Sequence, residues 1–262
     1  MFSITTAQLD ALLVTWVFPM VRVMSFVAAA PVFNNVAIPR RIKLIVALAI
    51  GFAVGASLPQ QNLPAPGSYV GLAVLAQQII IGAGLGLAMR VVFAALDVMG
   101  ELVGLQMGLS FATFFDPQSQ GQTSVIAQIV GIFSTLLFLA LNGHLLLIQS
   151  LAQSFEWLPI TATPVHSEGF LWLARSGAIL FATGLLLALP VIAALLITNI
   201  ALAVLTRAAP QLNLFAIGFP ITSTVGIAVL WLTLPVLASV LQGVFDQGFE
   251  GITMLARAFA QR

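Results

Sequence analysis

The chain has 262 residues, of which 60% are hydrophobic and only 17 are charged, nine Lys or Arg and eight Asp or Glu. Soluble domains carry about 25% charged residues, so a charged fraction of 6% excludes an ordinary water-soluble globular domain. The absence of cysteine excludes disulfides, thiolate metal sites and cysteine nucleophiles. Most cations are scattered singly, and the absence of a basic stripe excludes a nucleic-acid-binding surface.

Four long stretches contain no charged residue: Leu44–Met89, Pro117–Phe155, Ser176–Thr206 and Ala208–Phe245. A water-facing surface that apolar would drive association, so these stretches require a lipid bilayer or a large protein partner. They lack the alternation of barrel strands and are rich in Ala and Leu, which favours helices. The predicted fold class is therefore all-α, a polytopic membrane-type helical protein with kinked helical hairpins.

Six apolar runs follow in chain order as candidate spans: Leu9–Ala30, Leu44–Leu58, Tyr69–Met89, Val125–Ser150, Ser176–Thr206 and Leu212–Gln242. A helix needs about 20 apolar residues to cross the hydrocarbon layer, and several runs are clearly shorter or longer. Arg22 lies inside the first run, and prolines interrupt three of the runs at Pro19, Pro190, Pro220 and Pro235. Because proline removes a helical hydrogen bond, these runs are predicted to be bent helices that pack against other helices.

Three glycines at four-residue spacing, Gly100, Gly104 and Gly108, follow the third run. Residues four apart share one helix face, and glycine there allows two backbones to approach closely. The spacing predicts helix packing, either inside the chain or against a helix of another subunit.

Three charged residues precede and overlap this glycine series: Arg90, Asp97 and Glu101. The two carboxylates are neighbours on one helix face, which is unfavourable unless a cation or water neutralises them. Three interpretations stay open: ion pairs with Arg90 or with another subunit, a proton relay of a transporter, or a solvated face.

Bulky apolar side chains then crowd into nine positions, and a helix-breaking pair follows them: Met107, Phe111, Phe114 and Phe115, then Asp116 and Pro117. A run of polar residues and glycine comes next. Such an apolar knob predicts either a core-facing loop between helices or a plug that occludes a conduit by apolar contact.

No catalytic or metal-binding pattern is present. His144 and His166 have no zinc-site spacing, and neither a phosphate-binding loop nor a nucleophile elbow occurs. We therefore predict no enzymatic activity, no cofactor and no metal.

Four separated motifs resemble the FliR family of flagellar export-gate proteins, whose counterparts in virulence secretion are called SctT. The motifs are residues 30–33 with 38–41, residues 100–117 (GELVGLQMGLSFATFFDP), residues 142–144, and residues 207–220 (RAAPQLNLFAIGFP). The resemblance covers about residues 10–240. The residues alone leave open whether the system is flagellar or one of virulence secretion.

The resemblance implies a non-enzymatic subunit of a helical, protein-conducting gate that exports unfolded flagellar proteins. It implies a place in the bacterial inner membrane and flagellar basal body, partly raised to the periplasmic side. The implied partners are several copies of FliP and FliQ, with FlhB and FlhA nearby, in addition to membrane lipid. It also implies an approximate division into a FliP-like part, residues 1–200, and a FliQ-like hairpin, residues 201–262.

In the family, the loop that matches residues 106–122 helps to plug the closed pore. The implied gate residues are Gln106, Met107, Phe111, Phe114, Phe115, Asp116 and Pro117. The implied ion-pair residues between subunits are Arg90, Asp97, Glu101 and Arg207.

Two rival functions remain. A proton- or ion-coupled transporter of small solutes would use Asp97, Glu101 and Arg90, and would work when purified alone. A membrane scaffold without a pore would show no change in permeability when charges replace Phe114 and Phe115.

Overall fold

A computed structural model describes residues 6–59, 63–109, 124–209 and 214–260. Every regular element in these ranges is a helix, which confirms the all-α prediction. The helices are α1 (Thr6–Ala29), α2 (Arg40–Ser57), α3 (Tyr69–Gln106), α4 (Val125–Ala140), α5 (Gly143–Trp157), α6 (Glu168–Ala208) and α7 (Leu214–Ala260).

Three of these helices, α3, α6 and α7, are long and apolar enough to cross a membrane, so the polytopic prediction is confirmed. They contain 38, 41 and 47 residues. At 1.5 Å per residue this is about 57 to 70 Å if the helices are straight, far more than the ~30 Å hydrocarbon layer. Pro190 lies inside α6, and Pro220 and Pro235 lie inside α7.

The predicted run Val125–Ser150 is not one helix. It is divided between α4 and α5 by a break at Leu141 and Asn142, where Asn142 adopts a left-handed conformation with φ 57°. An asparagine tolerates this conformation better than most residues. The two helices together count as a fourth span only if they are taken as one. The described part of the chain therefore has three or four candidate spans, whereas six apolar runs are present in the sequence.

The chain forms two compact units, each described here by itself. Unit 1 comprises residues 1–91, 141–177 and 245–262. Its seam between α1 and α3 depends on two glycines, because a Cβ on Gly82 would collide with the carbonyl of Arg22. A Cβ on Gly86 would lie 2.8 Å from the Phe26 carbonyl oxygen. The seam is thus a direct backbone-to-backbone contact of the kind that small residues permit in membrane helices.

Arg22 lies at this seam and is fully buried. Its Nε donates to Gln78 Oε1 at 2.7 Å, and its terminal nitrogens donate to the carbonyls of Ser154 and Leu158 at 3.0 and 2.9 Å. These carbonyls close the C-terminal end of α5, where the helix dipole is negative and cations are stabilised. The cation also lies 4.1 Å from the centre of the Phe155 ring. The protein interior therefore solvates this charge.

Unit 2 comprises residues 92–140 and 178–244, and so contains the C-terminal part of α3, all of α4, the C-terminal part of α6 and the N-terminal part of α7. Gly100 of α3 packs so closely on Ala127 of α4 that a Cβ would overlap the Ala127 backbone. A Cβ on Gly184 of α6 would lie 2.6 Å from the Ala95 carbonyl oxygen of α3. Glycines thus set the separation of α3 from both α4 and α6.

Candidate functional site

The predicted gate loop begins in the described part of unit 2 and continues beyond it. Gln106 is the last residue of α3 and is half-buried, and Met107 follows it fully buried. The other implied gate residues lie outside the described residues: Phe111, Phe114, Phe115, Asp116 and Pro117. The structure describes the residues on both sides of the segment 110–123, up to Leu109 and from Ser124 onward.

The first end is a glycine-terminated helix. The N–H of Leu109 donates to the Gly104 carbonyl at 3.1 Å, and the N–H of Gly108 donates to the Leu105 carbonyl at 3.0 Å. Gly108 has φ 83°, the left-handed conformation that this pair of bonds requires and that glycine adopts without strain. The chain therefore turns sharply away from the axis of α3 before residue 110.

Met107 anchors this end to α7. The Thr222 hydroxyl donates to the Met107 carbonyl at 3.1 Å. The Met107 side chain fills the space that the missing side chain of Gly226 leaves, since a Cβ there would lie 2.6 Å from Met107 Cγ and 2.8 Å from Sδ. Backbone and side chain of one residue are thus both held by one helix.

The second end is Ser124, which caps the N-terminus of α4. Its hydroxyl accepts the N–H of Ala127 at 3.1 Å, as serine at this position commonly does. Its own N–H donates to the Glu101 carboxylate at 2.8 Å, and its hydroxyl also lies 3.3 Å from the Gly100 carbonyl oxygen. A carboxylate at a helix N-terminus is favourable because the dipole is positive there.

The two ends meet at the last turns of α3. A Cβ on Gly104 would lie 2.8 Å from Ser124 Oγ, and Gly104 also accepts the N–H of Leu109. The two described residues that flank the segment 110–123, Leu109 and Ser124, therefore both contact Gly104 of α3. Within the predicted glycine series, Gly100 and Gly104 contact the start of α4, whereas Gly108 ends the helix.

The predicted ion-pair residues differ in their surroundings. Glu101 binds Ser124 within the chain. Asp97 is exposed, and a Cβ built on Gly131 of α4 would lie 3.8 Å from its Oδ1. Arg90 and Arg207 are exposed on α3 and near the end of α6. Ion pairs of these residues with other subunits stay a prediction.

Sequence reasoning missed Thr222, Gly226 and Ser124 as residues that hold the loop. A threonine in an apolar helix usually bonds to a carbonyl in its own helix, so Thr222 gave no signal. Gly226 did give one, because an isolated glycine in a helical run marks a close approach to another group. Its partner could not be identified without the fold.

Comparison with known proteins extends over nearly the whole chain. The family described as bacterial export proteins, family 1, matches residues 13–248. A flagellar biosynthetic protein FliR of Pectobacterium carotovorum subsp. carotovorum is 47% identical over 242 residues, which cover 91% of this chain and 92% of the relative.

More distant relatives carry the same name. The FliR protein of Escherichia coli strain K12 is 43% identical over 250 residues, 95% of each chain. That of Aquifex aeolicus strain VF5 is 30% identical over 253 residues, 95% of this chain and 96% of the relative.

Proposed function

The chain belongs to the FliR family of bacterial export proteins, and from this membership we propose that it is a subunit of the protein-conducting gate of flagellar type III secretion. The resemblance to this family that the sequence motifs indicated is thus confirmed. The protein is a membrane component of the flagellar export apparatus. In the proposed role, which is non-enzymatic, it helps to form and to plug the pore for unfolded flagellar proteins.

The plugging role is supported chiefly by the way both ends of the segment 110–123 are held. Met107 is buried against α7, and Ser124 is bound to Glu101 and Gly100 on α3. A loop whose ends are fixed can hold apolar side chains at one position in a conduit, where they exclude water and ions. We assign this sealing role to Phe111, Phe114 and Phe115.

The proposed partners are FliP and FliQ, with FlhB and FlhA nearby. Large apolar side chains are exposed along α6 and α7, for example Phe181 (66%), Ile197 (69%) and Trp231 (73%). Apolar surface of this extent must be covered by lipid or by other subunits. The same surface agrees with a place in the inner membrane and basal body, partly raised toward the periplasm, where subunits replace part of the lipid.

Two exposed cations are candidates for contacts with other subunits. Arg90 and Arg207 are exposed on α3 and α6, which are mostly apolar helices. An ionic group in such surroundings needs a charged or polar partner. We therefore propose that these residues pair with charges of neighbouring subunits and fix how the subunits fit.

The test replaces Phe111, Phe114 and Phe115 together by Ser in the complete export gate. We expect increased permeability of the membrane to ions in cells that are not exporting, because the apolar seal is lost while both ends of the loop are kept. The matched control is Phe52→Ser, which is exposed on α2 outside the surface of α6 and α7 described above and should leave permeability unchanged. Unchanged permeability of the triple variant, with normal amounts of assembled gate, would refute the plug.

A further inference from the structure

Two residues of α7 contact Met107, at the start of the proposed plug loop. Met107 is fully buried three residues before the segment 110–123, and two of its contacts come from one short stretch of α7. The first is the hydrogen bond from the Thr222 hydroxyl to the Met107 carbonyl, and the second is the packing of the Met107 side chain against Gly226. The two α7 residues are four apart and therefore lie on one face of the helix.

The hydroxyl of Thr222 can donate its hydrogen bond to Met107 or to carbonyls of its own helix. The hydroxyl of Thr222 has one proton to donate, yet three carbonyl oxygens lie within its reach. They are those of Met107 at 3.1 Å, Gly218 at 3.1 Å and Phe219 at 3.2 Å. If Met107 moves away, the proton stays satisfied within α7. Losing the contact therefore leaves no buried unpaired donor on this helix.

The side chain of Met107 packs directly against Gly226. Gly226 has no Cβ, and the thioether of Met107 occupies the place where one would be. Methionine has a flexible, unbranched side chain that fills irregular gaps and can leave them by rotating its bonds. The contact thus combines close fit with a side chain that can rearrange.

We propose that Thr222 and Gly226 form a releasable seat for Met107, which sets the resting position of the plug loop and must let go when the gate opens. Thr222 and Gly226 are positioning residues, since they act on the conduit only through Met107. The proposal rests on the proposed plugging function. It makes α7, which also carries the exposed Ile227 and Trp231, the element through which neighbouring subunits would act on the plug.

Two substitutions weaken the seat, and the chain offers a matched control for each. Thr222→Val keeps the branched shape and removes the hydrogen bond. Its control is Thr224→Val, because the Thr224 hydroxyl bonds to the Pro220 carbonyl of its own helix and is exposed. Gly226→Ala adds a methyl group where Met107 lies, and its control is Gly243→Ala, where a Cβ meets none of the described residues within 4 Å. We expect a several-fold rise in ion permeability of the resting gate for the first member of each pair only.

A cross-link tests release directly. The chain has no cysteine, so the double variant Met107→Cys/Gly226→Cys contains a single possible disulfide. In the assembled gate we expect the oxidised variant to lose export while permeability stays low, and reduction with dithiothreitol to restore export. A merely structural contact would show no such reversible loss.

The outcomes separate this inference from the function on which it rests. If the triple Phe→Ser variant raises permeability but Thr222→Val and Gly226→Ala do not, the plug stands and the seat is wrong. If the cross-linked gate exports normally, release of Met107 is not part of opening and the proposal is overturned. If the triple variant itself does not leak, the plugging function has failed, whatever the seat variants do. The amount of assembled gate is measured for every variant, and only variants with normal assembly are scored.

Discussion

Arg22 Nε donates a 2.7 Å hydrogen bond to Gln78 Oε1 in the fully buried centre of unit 1. The contact joins α1 to α3, and the same guanidinium reaches the carbonyls of Ser154 and Leu158 at the end of α5. One side chain therefore holds three helices at one point. The Ser154 carbonyl also accepts the N–H of Leu158, whereas Gln78 Oε1 and the Leu158 carbonyl receive their hydrogen bonds from the cation.

Replacing Arg22 by Met should destabilise the protein by about 3 kcal/mol, because several buried acceptors lose their donor at once. Thermal unfolding of the purified full-length chain in detergent measures the effect. Arg22→Lys should recover only part of the loss, since an ammonium group lacks the planar fork that reaches several acceptors. Arg41→Met, at an exposed position of α2, is the control. Equal melting temperatures for Arg22→Met and Arg41→Met would contradict this account.

The close seam between α1 and α3 predicts opposite effects of alanine at two kinds of glycine. Gly82→Ala places a methyl group on the Arg22 carbonyl, and such overpacking costs about 1–3 kcal/mol. Gly177→Ala lies inside α6, where a Cβ has no neighbour within 4 Å in the described part of the chain, and should stabilise the protein by about 0.5–1 kcal/mol because glycine weakens helices. Unfolding of the full-length chain in detergent compares the two variants. A stabilising Gly82→Ala would mean that the helices separate easily.

Much of the fold follows from the apolar runs. Ser176–Thr206 lies within α6, and residues 214–242 of the last run lie within α7, because a long apolar stretch without strand alternation has few other solutions. Helix ends were harder to locate. The run Tyr69–Met89 continues as α3 to Gln106, past Arg90 and Glu101, since a helix tolerates charges on one face. The break at Asn142 was also missed, because its cause is one left-handed residue.

The site could be predicted only in part, for a different physical reason. The glycine spacing and the aromatic cluster locate the segment between α3 and α4, since both are local patterns. The seat joins residues 115 positions apart in the chain, Met107 and Thr222. Periodicity tells which face of a helix is apolar but not which distant residue will touch it, so a single sequence carries no signal for this contact.

The left-handed conformation of Gly108 predicts how the start of the loop responds to substitution. Gly108→Ala should destabilise the chain by about 1 kcal/mol, because a Cβ is strained at φ 83°. Gly108→Asn should cost less, since asparagine enters this region more readily. Melting temperatures of the two variants give the comparison. If alanine and asparagine have the same effect, the turn is not what sets the cost.

Glu101→Gln separates the gate from the transporter that would use Asp97 and Glu101. The amide oxygen of Gln can still accept the N–H of Ser124, as the carboxylate does at 2.8 Å, whereas a proton relay needs a group that ionises. We therefore expect the Gln variant to retain flagellar protein export, and Glu101→Leu to reduce it, because the N-terminus of α4 and the end of the loop lose their acceptor. Asp97→Asn provides the second test of a relay. Export is measured by the amount of flagellar protein secreted, with gate assembly measured in parallel. Loss of export in both Glu101→Gln and Asp97→Asn, with normal assembly, would favour proton coupling through these carboxylates over a role for Glu101 in holding the loop, because the Gln amide still accepts the backbone N–H of Ser124.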